Sequence, residues 1–227
     1  MTGAGGKVGW LTTGNGEGSL GLLRSALHSG ADIRYVACTR EPGEASGSDN
    51  FIRFVEEHRL PLVTLSWRRW ARLNRELGRE ERRTTYESEL LKRIRALGTN
   101  VPLVMMAGYM LITRKLHREL TCFNLHPATP DGPKGTWETV IHELIRTRAT
   151  HGGVTIHRVT DELDSGPAAV HCRYPIAVHE PAAIREIGLR YERALLAQFL
   201  ALPARATAEM VDLTAAVEGA VLSRARA

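Results

Sequence analysis

Short apolar segments alternate along the chain with segments of helical periodicity, and this alternation restricts the fold more than any other feature. The run VPLVMMAG, residues 101–108, is almost continuously apolar and follows a segment in which Tyr86, Leu90, Ile94 and Leu97 recur at helical spacing. A strand without a polar face must be covered on both sides. The pattern therefore predicts an α/β fold, in which helices flank a mostly parallel, twisted sheet.

Seven strands and six helices follow from the same reading. The strands are predicted at 7–13, 33–39, 61–65, 101–108, in the run that ends at 126, and at 152–160 and 168–177; the helices are predicted at 19–30, 48–60, 81–97, 114–120, 136–148 and 181–201. The pattern weakens beyond Pro203. We therefore expect one domain over residues 1–203 and a C-terminal tail with the capacity to form a helix over residues 204–227.

Composition narrows the class of protein. The chain has 227 residues, of which 43% are hydrophobic, and this size fits one compact domain. No apolar stretch approaches the roughly 20 residues that cross a bilayer, and the N-terminus lacks the apolar centre of a secretory signal. We expect a cytoplasmic protein without a membrane partner. Cys38, Cys122 and Cys172 are far apart, so neither a disulfide framework nor a zinc site is predicted.

The formal charge of +5 is concentrated in the run SWRRWARLNRELGREERR, residues 66–83. Glu76, Glu80 and Glu81 interrupt this run, which favours a solvated helix and loop face over a continuous basic patch. Binding of a small anion stays open as an alternative, and nucleic acid is the least favoured partner.

Polar residues and glycines follow three of the predicted strands. Gly14, Asn15 and Gly16 follow the first, Tyr109 follows the fourth, and Asn124 lies near the end of the fifth. In an open α/β sheet, ligands bind outside the carboxyl ends of the parallel strands. The glycine loop GNGEGS does not have the spacing of a dinucleotide or triphosphate loop. It predicts either an anion site at a helix N-terminus or a plain turn capped by Ser19.

Asn124 and His126 carry the sharper signal. Period-two alternation in FNLH places both side chains on one face at the end of a strand. An asparagine can donate to a developing oxyanion, and a histidine can donate or shuttle a proton. The acidic turn TDELDSGP adds the carboxylate of Asp164 beyond a later strand. The alternative is a structural histidine together with a routine turn aspartate.

Four of these segments, taken together, resemble one family. GNGEGS, MAGYMLIT, FNLHPATP and GGVTIHRVTDELDSGP are similar, in that order, to the motifs of phosphoribosylglycinamide formyltransferase and its relatives that use 10-formyltetrahydrofolate. The resemblance covers roughly residues 8–200. It implies a Rossmann-like formyltransferase catalytic domain and a place in one-carbon metabolism, with purine biosynthesis as the expected pathway.

The resemblance also implies roles for individual residues. Asn124 and protonated His126 would stabilise the oxyanion that forms when an amine attacks the formyl carbon, and Asp164 would help to move the amine proton through a water. The implied folate site comprises Arg83, Tyr109, Met110, Leu111, Ile112, Thr160, Asp161 and Glu162, with Arg83 at the position that meets the folate's glutamate tail. The implied acceptor site comprises Gly14, Asn15, Gly16, Gly18, Ser19 and Glu192. No metal is expected.

The acceptor side departs from the family pattern. The family's glycine loop is compact, whereas this loop is longer and contains Glu17. The segment after the N-x-H-P motif is usually similar to SLLPKYPG followed by histidines, but here it contains Lys134 and Trp137. The expected acceptor is glycinamide ribonucleotide or a related small amine, and an amino sugar or a specialised-metabolite amine is the first alternative. A 10-formyltetrahydrofolate hydrolase, a folate-binding regulatory domain and a homodimer also stay open.

Overall fold

The computed structural model describes residues 6–101, 103–202 and 210–225, and its elements follow the predicted alternation. The strands are β1 (Val8–Thr12), β2 (Ile33–Cys38), β3 (Leu62–Thr64), β4 (Leu103–Met106), β5 (Thr121–His126), β6 (His151–Arg158), β7 (Ala168–Pro175) and β8 (Val211–Asp212). The helices are α1 (Gly16–His28), α2 (Ser46–Glu57), α3 (Trp67–Leu73), α4 (Arg79–Ala96), α5 (Leu116–Glu119), α6 (Trp137–Arg146), α7 (Pro181–Ala201) and α8 (Thr214–Ala225).

Within the described residues the strands form one sheet in the order β3-β2-β1-β4-β5-β6-β7-β8. The first five strands in sequence run parallel to one another, whereas β6 runs antiparallel to both β5 and β7. The predicted α/β class with a mostly parallel sheet is confirmed. Chain order reverses between β1 and β4, and such a reversal opens a crevice at the carboxyl ends of the two strands.

Two apolar layers cover the sheet. Trp10 and Phe199 belong to the layer on one face, and Leu11 and Tyr86 belong to the layer on the other. Consecutive residues of β1 therefore enter opposite layers, as expected for a strand that is covered on both sides. The three cysteines are free and buried. None of the described helices is both long enough and apolar enough to cross a membrane.

Three local features differ from the sequence-based reading. Helix α1 begins at Gly16, so Ser19 lies buried inside it, and the alternative in which Ser19 caps the helix is wrong. The basic run contains a separate short helix, α3, whose first turn is capped by the Ser66 side chain accepting from the Arg69 N–H at 3.0 Å. Beyond the predicted boundary at 203, β8 pairs with β7 and Val217 of α8 is buried in the core. Residues 203–209 lie outside the described residues.

Candidate active site

A cavity of about 610 Å³ lies at the carboxyl ends of β1, β4 and β5. Its volume falls within the range of sites that bind small molecules. Two groups of residues line the cavity. The group around the residues predicted to bind folate, referred to as the folate end, comprises residues 109–113, 159–160 and 162–163. The group around the residues predicted to bind the acceptor amine, referred to as the acceptor end, comprises residues 15–16, 18–19 and 136–138 and part of α7. Asn124, His126 and Asp164, referred to as the centre, also line the cavity.

The structure brings these three side chains together around the Asp164 carboxylate. Asn124 Nδ2 donates to Asp164 Oδ1 at 3.3 Å, and His126 Nδ1 lies 3.6 Å from Asp164 Oδ2. His126 is buried, and so is the side chain of Asp164. An amide, an imidazole and a carboxylate from two separate parts of the chain thus meet at one point of the cavity wall.

Backbone groups fix the positions of His126 and Asp164. His126 Nε2 is 2.8 Å from the carbonyl oxygen of Pro133, which can only accept, so this nitrogen carries a proton and Nδ1 faces Asp164. The Gly135 N–H donates to Asp164 Oδ2 at 3.0 Å. Lys134, between these two residues, donates to the Ser165 hydroxyl. The segment 133–135 therefore holds both ionisable groups from one side.

Asp164 lies in a tight turn between β6 and β7. Its φ of +48° is in the left-handed region, which aspartate tolerates better than most residues. Two residues later, the backbone of Gly166 approaches the Arg158 carbonyl so closely that a Cβ would lie 1.6 Å from the oxygen. Only glycine fits there, and the LDSGP turn depends on it.

His157 is a fourth polar residue of this centre, and the sequence analysis missed it. Its Nε2 lies 3.2 Å from Asn124 Nδ2 and 3.5 Å from Asp164 Oδ1. Its Nδ1 donates to the Arg158 carbonyl at 3.1 Å. The antiparallel pairing of β5 with β6 sets His157 opposite Asn124. Alternation in GGVTIHRVT was the available signal, but it is informative only once the direction of β6 is known.

The surroundings shift the pKa values of both ionisable groups in the trio. Burial lowers the pKa of His126 below its usual range, although the charge of Asp164 and the Pro133 carbonyl oppose this shift. Burial raises the pKa of Asp164, but the hydrogen bond with His157, the charge of His126 and the Gly135 N–H together outweigh burial and lower it. Asp164 is therefore ionised at neutral pH, and His126 readily gives up its second proton.

The folate end has an apolar wall. Met110 is 53% exposed, Leu163 is 47% exposed and Ile112 is 38% exposed. Large apolar side chains that stay exposed around a cavity are typical of a binding surface. The other predicted folate residues that line the cavity are Tyr109, Leu111, Thr160 and Glu162.

Two of the predicted folate residues do not line the cavity. Asp161 points away from it and pairs with Arg118 at 2.7 Å and His117 at 3.2 Å. The Arg83 guanidinium carbon lies 3.8 Å from the centroid of the Trp67 ring. Arg83 thus packs on an aromatic ring of the basic run.

Glu87 holds the segment that follows the apolar wall. This glutamate is fully buried, and its carboxylate accepts from the backbone N–H groups of Arg114, Lys115 and Leu116 at 2.9, 2.5 and 2.9 Å. One carboxylate of α4 thereby satisfies the N–H group of the first residue of the short helix α5 and those of the two residues before it. The loop that carries Met110 and Ile112 is tied to α4 at its far end.

The acceptor end contains most of the predicted acceptor residues. Asn15, Gly16, Gly18, Ser19 and Glu192 line it. Gly14 does not: a Cβ there would lie 3.0 Å from the Cys38 sulfur and 3.3 Å from the Phe51 ring, and its φ is +66°. Gly14 therefore serves the turn after β1.

Glu192 is buried, and Arg185 Nη1 donates to its Oε1 at 2.7 Å. Burial raises the pKa of Glu192, and the positive charge of Arg185 opposes the rise. Arg185, which the sequence analysis did not select, also lines the cavity. The described part of the chain contains no group of three or more His, Cys, Asp or Glu side chains that could hold a metal ion.

The sequence of this chain is similar to one known family and to one curated protein. The formyl transferase family pattern matches residues 53–191. The phosphoribosylglycinamide formyltransferase of Dictyostelium discoideum is 32% identical over 104 residues, which cover 41% of this chain and 50% of that protein. The chain thus spans about half the length of this curated relative.

Several solved structures have a fold similar to that of this chain. A glycinamide ribonucleotide transformylase from Symbiobacterium toebii superposes with a TM-score of 0.68 at 19% identity and covers 88% of each chain. A phosphoribosylglycinamide formyltransferase from Coxiella burnetii superposes with a TM-score of 0.65 at 22% identity, over 86% of this chain and 85% of that one. A formyltetrahydrofolate deformylase from Burkholderia mallei superposes with a TM-score of 0.63 at 20% identity, over 86% of this chain and 63% of that one. With the family pattern spanning 53–191, this chain belongs to the formyl transferase family.

Proposed function

We propose that the protein transfers a formyl group from 10-formyltetrahydrofolate to a primary amine, and that glycinamide ribonucleotide is the first candidate for that amine. The observation that carries this proposal is the meeting of four polar side chains in the wall of one cavity, namely Asn124, His126, His157 and Asp164. The folate supplies an activated one-carbon group, and the residues of the chain supply position, hydrogen bonds and a proton acceptor.

The folate end suits a flat, largely apolar ring system. Met110, Ile112 and Leu163 offer exposed apolar surface there, and Thr160 and Glu162 add polar groups at its edge. Burial of such side chains against a ring contributes about 25 cal/mol for each Å² of apolar surface removed from water. The cavity volume of about 610 Å³ leaves room for a second small molecule beside the ring.

The central residues suit acyl transfer. The new bond forms between the amine nitrogen and the formyl carbon, the bond from that carbon to N10 of the folate breaks, and one proton passes from the amine to N10. Asn124 would turn one amide N–H from its present partner to the formyl oxygen as negative charge develops on that oxygen, and His126 would also donate to it when Nδ1 carries a proton. Asp164, ionised at neutral pH, would accept the amine proton and return it to the leaving nitrogen. His157 would hold Asn124 and Asp164 in place.

Hydrolysis of the same donor is the second candidate function. Water would take the place of the amine, and formate would be released. The fold also serves a formyltetrahydrofolate deformylase, and Asp164 lies where it could activate a water as readily as an amine. A folate-binding domain without chemistry is the non-enzymatic alternative.

One assay separates these functions. The protein is incubated with 10-formyltetrahydrofolate with and without glycinamide ribonucleotide, and both deformylated folate (by absorbance) and formate are measured. Amine-dependent loss of the formyl group without formate is the expected result, and Asp164→Asn should remove it. Amine-independent formate release would instead identify a hydrolase. Folate binding with neither product, across a panel of amino sugars and amino acids, would refute transfer.

A further inference from the structure

Arg185 occupies a central position at the acceptor end of the cavity, where three helices meet. Its Nη1 donates to Glu192 at 2.7 Å, and its guanidinium carbon lies 4.7 Å from the centroid of the Trp137 ring. Its Nη2 is so near the glycine loop that a Cβ on Gly18 would lie 3.2 Å from it. Contacts with α7, α6 and α1 thus fix one guanidinium in place before any ligand binds.

Most of the hydrogen-bonding capacity of this guanidinium is unused. A guanidinium carries five N–H donors in a rigid fork, and within the described part of the chain Glu192 is the one acceptor that Arg185 uses. The Arg185 side chain is 22% exposed and lines the cavity. The remaining donors are therefore open to a ligand and are already oriented, so little entropy is lost when they bind.

The charges at the acceptor end favour a ligand that carries both a positive and a negative group. Arg185 forms an ion pair with the buried Glu192, and Glu138 adds a carboxylate that is exposed at the start of α6. An amine with no other charge would interact with Glu192 but leave the free donors of Arg185 without an acceptor. A ligand that carries an anionic oxygen group beside its amine satisfies both residues, because the fork of a guanidinium matches a carboxylate or a phosphate.

We propose that Arg185 is a specificity-determining residue and restricts the acceptor to amines that also carry an anionic group, either a carboxylate or a phosphate. This inference rests on the proposed formyl transfer, because it concerns the acceptor of that reaction. Binding measurements alone test it. Trp137 and Glu192 are the residues that position Arg185, and the glycine loop forms the opposite side of the anion site.

The test compares two matched pairs of probes by isothermal titration calorimetry on the full chain. Glycinamide ribonucleotide and glycinamide riboside differ by a phosphate, and glycine and glycinamide differ by a carboxylate. The wild-type protein should bind the anionic member of at least one pair at least about tenfold more tightly, which is the usual worth of a charge-assisted pair of hydrogen bonds. The pair that shows the difference identifies the anion.

Arg185→Gln should abolish this preference, and Arg190→Gln should retain it. Arg190 lies on the same helix and pairs with the exposed Glu186 at 2.5 Å, so it is a matched loss of charge away from the cavity. If Arg185→Gln does not fold, Arg185→Lys serves in its place and should weaken the preference, because an ammonium lacks the planar fork that binds a carboxylate or a phosphate with two parallel hydrogen bonds. No preference in either pair, or an unchanged preference in the Arg185 variant, would overturn the inference.

Binding and transfer are measured separately, so the two proposals can fail independently. If the anionic probes bind through Arg185 but no formyl group reaches any amine, the inference about Arg185 stands and the proposed transfer fails. If transfer occurs with charged and neutral amines alike and the Arg185 variant behaves as the wild type, transfer stands and the inference fails.

Discussion

The centre and the acceptor end of the cavity are built in different ways. At the centre, main-chain groups of residues 133, 135 and 158 hold the side chains of His126, Asp164 and His157. At the acceptor end, side chains hold one another, as Arg185 does with Glu192 and Trp137. The geometry of a centre that is held by main-chain groups is set by the fold. The shape and charge of a wall made of side chains that contact one another can change with a few substitutions. The two regions should therefore differ in their response to substitution: the centre should keep its geometry, whereas the acceptor end should change the molecules that it binds.

The largest expected loss of activity follows substitutions at the centre. We expect His126→Ala and Asp164→Asn each to lower kcat by about 10²- to 10⁴-fold, because each removes a group that, in the proposed function, exchanges a proton or a hydrogen bond with the reacting atoms. Single-turnover rates with saturating folate measure the loss, and circular dichroism shows whether the fold is kept. Asp161→Asn, an exposed carboxylate of the same turn, should keep near-normal rates. Near-normal turnover in either central variant would contradict the contrast between the two regions.

A smaller effect is expected at the acceptor end. Glu192→Gln keeps an oxygen that can accept from Arg185 but removes the negative charge that would attract an amine. We expect KM for the amine to rise about tenfold while KM for the folate stays the same. Steady-state kinetics with each substrate varied in turn make the measurement. Glu186→Gln, on the exposed face of α7, is the control. An equal rise in the folate KM would show that the two ends are not separate.

The smallest expected effect is a shift in the pKa of His126. The pKa of His126 should lie below the usual histidine value of about 6.5, because burial favours the neutral ring. Asp164 opposes that shift, so Asp164→Asn should lower the pKa of His126 further. Histidine ring signals followed by NMR during a pH titration provide the measurement.

The same shift has a consequence for stability. A histidine whose pKa is lower in the folded state than in the unfolded state favours folding above the unfolded pKa and destabilises the fold as pH falls below it. Urea unfolding at pH 7.5 and pH 5.5 should show a larger loss of stability in the wild type than in His126→Gln. A pKa for His126 above the usual value would contradict the buried environment on which both expectations rest.

The sequence predicted the fold well because its signals are local. Continuous apolar runs such as 101–108 gave the strands, and helical spacing gave α4 and α7 within a few residues. The start of α1 was placed too late because glycines in the first turn conceal helical periodicity. Helix α3 was not separated from the basic run because most of its residues are charged or aromatic.

The site was predictable only in part, because long-range pairing decides the rest. Asn124, His126 and Asp164 could be selected from strand ends and turns. The position of His157 depends on the reversed direction of β6, which no local pattern reveals. The position of Arg185 in the cavity depends on how α7 packs against α1 and α6. Arg83 could be aligned with a family position, but alignment did not predict that its side chain would pack on Trp67.

The buried carboxylate of Glu87 has a consequence for how the cavity can open. It binds three successive backbone N–H groups of residues 114–116, so these amides should exchange with solvent water as slowly as those inside a long helix, although α5 has only four residues. A segment fastened in this way cannot swing aside to admit a ring system.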